Sequence, residues 1–299
     1  KVRTIDKKQK NFISFIILAT VGVVLLVIAL FSLWTVEETD EEVVMHSESQ
    51  EVAEKEALED ILLAVMDEYG VTPDQIAISY YNFQEKETYA LNEDWVMNAA
   101  STTKVATAML FSDLIWQGVL DWDSELPYSD SYYEEGEGAV TNSEKRATYT
   151  IEELVYEMLT YSDNTATNVL ALYYMDTIGD YWYDVTQVSG LDVTDPEVTE
   201  GNFATTDIMA HTLIQAVENE RYATIIGIMR EAQADFRLKQ FVSNDMAAKY
   251  GSFGPYQHDI GIYFEGETPV YVIAVFTENV MNVDEFIGQL NLRLLEWQG

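Results

Sequence analysis

Three separated stretches of the chain carry residue types able to do nucleophilic chemistry. In the first, Asn98-Ala99-Ala100-Ser101-Thr102-Thr103-Lys104, a Ser stands three residues ahead of a Lys, and an apolar run with helical spacing, Val105 to Leu110, follows. On a helix opening at Ser101 the two side chains share a face one turn apart, and the free amides of the first turn surround the hydroxyl. A Ser hydroxyl attacks a carbonyl only when a base takes its proton, and a Lys can be that base once burial or a second cation keeps its amine neutral. The plainer reading of such a pair is a helix cap followed by a solvated Lys.

Two later stretches weigh against the plain reading. Tyr161-Ser162-Asp163-Asn164-Thr165-Ala166-Thr167-Asn168 brings a second Ser beside an acid and an amide, and Lys249-Tyr250-Gly251-Ser252 brings a second Lys. Ser-x-x-Lys, Ser-Asp-Asn and Lys-Thr-Gly, in that order, are the signature of class A β-lactamases and penicillin-binding proteins. With flanking phrases such as Tyr149-Thr150-Ile151, Asn164-Thr165-Ala166 and Ala204-Thr205-Thr206-Asp207-Ile208-Met209-Ala210, the chain resembles the class A β-lactamase-related serine hydrolases from about Glu51 to its C-terminus.

The resemblance implies acyl transfer through a covalent acyl-enzyme. Ser101 is then the nucleophile, and its amide and that of Ser252 form the oxyanion hole. Lys104 and Lys249 are the paired amines, and Ser162 passes a proton to the leaving nitrogen. Asn164 binds the substrate amide, Tyr250, Gly251 and Ser252 wall the substrate site, and Asp163 holds its loop in shape. Whether a Lys or a water held by a Glu is the acylation base is open in class A enzymes.

Two departures from the family pattern stand out. Tyr250 occupies the place of a Thr or Ser whose hydroxyl meets the substrate carboxylate, and no Arg lies within His258 to Phe264 to meet the same carboxylate. The loop Glu that activates the deacylating water is also missing. Among the acids of 190–202, Glu197 after Pro196 is the nearest candidate, against the plain reading of a solvated loop acid. The expected substrate is therefore a β-lactam or a D-amino-acid peptide amide, with acylation outpacing deacylation. The alternative is a non-catalytic wall-binding or sensor module that retains the fold.

The elements expected to position these residues follow from periodicity. Strand-like runs at 75–81 and 87–91 and a helical run at 49–69 lie near the start, and strands at 258–264 and 269–276 with a helix at 286–297 lie near the end. Helices fill the middle. They run from Ser101 to about Gln117, from Ile151 behind a Thr150 cap to Thr160, and on through 178–188, 205–218 and 222–234. The acidic stretch 121–147 reads as a solvated surface loop. The fold class is α/β of the α+β type: an antiparallel sheet built from both chain ends and flanked by helices, beside an all-helical lobe over about 102–240, all within a hydrolase domain at 51–299.

Phe12 to Trp34 is uncharged and dominated by Ile, Leu, Val and Phe, long enough to cross a bilayer, and five Lys and Arg against one Asp precede it. These features predict a cytoplasmic tail and membrane anchor over 1–34, an acidic stalk over 35–50, and an extracellular domain. The formal net charge of −36 excludes nucleic acid and anionic membrane surfaces as partners of that domain. The absence of Cys excludes disulfides and thiolate chemistry. His46, His211 and His258 have no zinc-like spacing, and no glycine-rich phosphate loop is present, so neither metal nor cofactor is expected.

Overall fold

The computed structural model describes residues 57–232, 235–242 and 245–298. The predicted membrane anchor and stalk lie outside the described residues, as does the start of the first predicted helix. Among the described residues no helix is long and apolar enough to cross a membrane.

In chain order the elements are α1 (Leu58–Tyr69), β1 (Ile76–Asn82), β2 (Thr88–Leu91), β3 (Met97–Asn98) and, after a 3-10 turn at Ala100–Thr103, α2 (Lys104–Trp116). Then come β4 (Glu125–Pro127), α3 (Ala139–Asn142), β5 (Thr148–Thr150), α4 (Ile151–Thr160), α5 (Asn164–Thr177), α6 (Tyr181–Gln187) and α7 (Pro196–Thr199). The rest is β6 (Phe203–Ala204), α8 (Thr206–Glu218), α9 (Ala223–Glu231), β7 (Met246–Phe253), β8 (Tyr256–Glu265), β9 (Thr268–Thr277) and α10 (Val283–Gln298).

Both chain ends contribute to one antiparallel five-stranded sheet of order β2-β1-β9-β8-β7, as the strand distribution predicted. The sheet is covered on both sides, so its central strands read as unbroken apolar runs whose alternate residues serve different layers. On β9, Tyr271, Ile273 and Val275 pack with Leu62, Val65, Phe286 and Leu290 of α1 and α10. Val272, Ala274 and Phe276 point the other way, into the core shared with Val105, Met109, Leu154 and Ile208 of the helices. A side chain of this size contributes roughly 1.5–3 kcal/mol when fully buried, and that double core is what supports a site full of buried charge.

Local chemistry accounts for several boundaries. The Thr150 side chain accepts from the Glu153 amide and starts α4, as the capping pattern predicted. Asp163 caps α5 in the same way through the Ala166 amide. The middle of the chain is not wholly helical, because β3 pairs with β6 and β4 with β5 in two small ribbons. Helix α2 is buried nearly all round, from Lys104 to Ser112 without a break, which carries its first residue out of water.

Candidate active site

The turn that carries Ser101 differs from the expected helix start. Ser101 sits in the 3-10 turn, and α2 opens three residues later at Lys104. The cause is Ala100, which is held in the left-handed region at φ 49 while its amide donates to Asn98 Oδ1 at 3.0 Å. A left-handed non-glycine residue costs about 1–2 kcal/mol, and such strain is kept where geometry matters more than local stability. The kink presents Ser101 at the wall of a cavity of about 340 Å³ shared with Lys104, Asn164 and Ser252.

Ser162 is likewise left-handed, at φ 59, in the link between α4 and α5. That conformation turns both its carbonyl and its hydroxyl toward the cations. Lys104 Nζ donates to Ser162 O at 2.6 Å, to Ser162 Oγ at 3.2 Å and to Asn164 Oδ1 at 2.7 Å. Lys249 Nζ reaches the same Ser162 Oγ at 3.1 Å. The three motifs thus meet around one hydroxyl.

The two amines do not behave as surface amines. Burial pulls the Lys104 ammonium down to about 8, opposed by the charges of Asp163 and Glu134. Burial, and next the neighbouring Lys104, holds the Lys249 ammonium well below its ordinary value. Asp163 accepts from Thr141 N at 2.9 Å, Thr141 Oγ1 at 2.7 Å and Ala166 N at 2.9 Å, which is the loop-holding geometry expected of it.

Strand β7 was not foreseen, although it carries Lys249, Tyr250, Gly251 and Ser252. It is an edge strand, and an edge leaves backbone donors free to meet something other than a neighbour strand. Here the edge lies against the Ser101 turn. A Cβ on Gly251 would come within 2.9 Å of Ser101 N and 3.0 Å of both Ala99 O and Ala100 Cβ, so only glycine lets the backbones approach this closely.

Tyr250 is half-buried, hydrogen-bonded to the Ser162 side chain, with its ring 4.2 Å from Lys249 Nζ. Its phenol therefore sits beside the hydroxyl that the two lysines share. Ser252 is exposed on the cavity wall and is backed by an arginine that the sequence reading overlooked. Arg237, almost fully buried, donates to Ser252 Oγ at 2.9 Å, Gln257 Oε1 at 2.6 Å and Gly251 O at 3.0 Å, and pairs with Asp284 at 2.7 Å.

The stretch 121–147 is not merely a solvated loop. Its segment 132–141 lies across the start of α5: Asn164 Nδ2 donates to Glu135 O at 2.9 Å, and Thr165 Oγ1 donates to Glu134 O at 3.1 Å. Asn168 Nδ2 donates to Tyr132 O at 3.1 Å and Glu134 Oε2 at 3.0 Å. Gly138, at φ 89, leaves no room for a Cβ beside Asp163, which fixes how closely the loop packs. Glu134 consequently lines the cavity, as do Asn168 and Asn202.

Glu197, by contrast, is exposed in the first turn of α7 and is not among the residues lining the cavity. Glu200 is exposed too. His258 is structural: it donates from Nε2 to Asn98 O at 2.9 Å and accepts at Nδ1 from Thr277 N at 3.0 Å, and burial lowers its pKa to about 4, so it stays neutral. Among the described residues no three His, Asp or Glu side chains gather in a way that could hold a metal ion.

Fold and site together define a serine hydrolase. The model of the beta-lactamase enzyme family matches residues 56–298, and the chain belongs to that family. Among curated proteins, none matches the chain.

Solved structures share the fold at low identity. A PBP-A variant captured as an acyl-enzyme with penicillin G is 20% identical over 81% of this chain and 97% of its own, with a TM-score of 0.68. A class A beta-lactamase from Mycobacterium abscessus is 18% identical over 80% and 98%, with a TM-score of 0.67. A beta-lactamase from Sphaerobacter thermophilus is 22% identical over 81% and 96%, with a TM-score of 0.65.

Proposed function

We propose that this serine hydrolase acylates Ser101 with a β-lactam or a D-amino-acid peptide amide and releases the product slowly. Lys104, partly neutral near physiological pH, takes the Ser101 proton as Oγ bonds to the acyl carbon. The carbonyl oxygen gathers the displaced electron pair, and the amides of Ser101 and Ser252 hold it. Ser162, fed by Lys104 and Lys249, hands a proton to the departing nitrogen as the C–N bond breaks. Asn164 offers its amide to the substrate, and Ser252 with Arg237 behind it supplies positive character for a substrate carboxylate.

The observation that carries this reading is the convergence of Lys104, Lys249 and Ser162 beneath the cavity that Ser101 lines. Slow release is supported by the exposed position of Glu197, away from that cavity. The uncharged run at 12–34, with its preceding cations, supports a single-pass anchor that places the hydrolase outside the cell.

The test is incubation of the full chain with a labelled penicillin, followed by mass spectrometry of the intact protein. A covalent adduct that maps to Ser101 and is absent in Ser101→Ala is expected. Failure to form any adduct, with wall-peptide binding unaffected by Ser101→Ala, overturns the catalytic reading in favour of a binding module.

A further inference from the structure

Hydrolysis of an acyl-enzyme needs a base placed at the attacking water, since that water must lose a proton as it bonds to the acyl carbon. Among the described residues lining the cavity around Ser101 there is one carboxylate, and it is Glu134. It arrives from an unexpected direction, on the loop between β4 and α3. That loop is fastened to the start of α5 by Thr165, whose hydroxyl accepts from Glu134 N at 3.2 Å and donates to Glu134 O at 3.1 Å.

The carboxylate itself is oriented. Asn168 Nδ2 donates to Glu134 Oε2 at 3.0 Å, which leaves the other oxygen and its lone pairs for a water. Asn202, which also lines the cavity, accepts from Thr103 Oγ1 at 2.8 Å and donates to Ala100 O at 2.9 Å. An amide side chain with those two bonds retains one N–H and one lone pair for a water in the cavity. The Glu134 charge also opposes the desolvation of the Lys104 ammonium, so the carboxylate is within electrostatic reach of the amine beside the nucleophile.

We infer that Glu134, oriented by Asn168, is the general base for deacylation in this chain, in place of a carboxylate from the 190–202 loop. The inference rests on the acyl-enzyme reading above. In the step, Glu134 takes a proton from water while the water oxygen bonds to the acyl carbon and the carbonyl pair moves onto its oxygen. When that pair returns, the bond from the acyl carbon to Ser101 Oγ breaks, and Glu134 gives the proton to Oγ. The products are the free acid and the original Ser101 hydroxyl.

Glu134 is exposed, so bulk water competes with the ordered one, and this accounts for slow rather than absent turnover. Positioned general bases contribute about 10²–10⁴-fold, and an exposed one belongs at the lower end of that range.

The experiment is to acylate the full chain with penicillin, remove free ligand and follow loss of the Ser101 adduct by mass spectrometry in wild type, Glu134→Gln, Glu134→Ala and Glu197→Gln. Expected in Glu134→Gln is a Ser101 adduct that still forms, with a lifetime longer by about 100-fold. Retained acylation shows that the variant is folded. Added formate should shorten the lifetime in Glu134→Ala, a chemical rescue that a merely structural role would not give. A wild-type lifetime in Glu134→Gln, or a lengthened lifetime in Glu197→Gln alone, overturns the assignment. If wild type forms no adduct, the acyl-enzyme reading falls first and the assignment falls with it.

Discussion

The lowered Lys104 pKa makes the pH dependence of acylation a sharp test. Its ammonium titrates at about 8 instead of at the ordinary 10.5, because the head of α2 is buried, and a difference of this size disfavours the charged form by roughly 3 kcal/mol. The sign follows directly: the neutral base gains population as pH rises and is complete above the shifted value. About 1% of Lys104 is neutral at pH 6, about 9% at pH 7 and about 90% at pH 9. At pH 7 that fraction is about 300-fold larger than for a solvated Lys. The second-order rate of Ser101 acylation by a labelled penicillin, measured by rapid quench and mass spectrometry, should therefore climb almost tenfold from pH 6 to 7. It should then flatten above about 8. A rate still climbing in proportion to hydroxide beyond pH 9 would mean the amine is not shifted. A rate that falls as pH rises would mean the ammonium is the working form, and the base would have to be another group.

Two further outcomes depend on packing. Gly251→Ala forces a Cβ against Ser101 N, Ala99 O and Ala100 Cβ, atoms that cannot move without shifting the nucleophile turn. Since one misplaced oxyanion donor costs about 10²–10³-fold, acylation should fall at least about 100-fold while the chain loses about 1–3 kcal/mol of stability; wild-type acylation would show that the turn is not set by β7. His258→Leu strips partners from Asn98 O and Thr277 N at the core, each costing about 1–3 kcal/mol, so the unfolding free energy should fall by a total of about 2–6 kcal/mol, read as a lowered denaturation midpoint. An unshifted midpoint would mean that neither bond supports the fold.

What could be read in the sequence was what is local or ordered along the chain. Thr150 and Glu153 declare a cap because the bond spans three residues, and Ser101, Lys104, Ser162, Asn164 and Lys249 declare themselves by type and order. Strand β7 stayed hidden because Met246 to Lys249 are all buried and show no alternation, while the embedded Lys249 looks like a surface residue. The kink at Ala100 could not be read either, since its cause is the Asn98 side chain bending back on the Ala100 amide and β7 pressing from far along the chain. Glu134 and Arg237 were passed over for a common reason. Each is an ordinary charged residue in a polar stretch, and only partners distant in sequence, Asn168 for one and Ser252, Gln257 and Asp284 for the other, give it a role.

The same contrast explains how so acidic a chain can hold a cluster of buried cations near the cavity that Ser101 lines. The net charge of −36 is spread over solvated carboxylates, where water and salt screen it within about 10 Å. Lys104, Lys249 and Arg237 are buried, so their fields act through low-dielectric surroundings and are screened far less. Few cations thus govern the cavity while many anions govern the surface. Burying those cations is unfavourable, and it lowers both lysine pKa values. The two-sided sheet core offsets that cost, and the same desolvation that destabilises the ammonium leaves a larger share of Lys104 neutral.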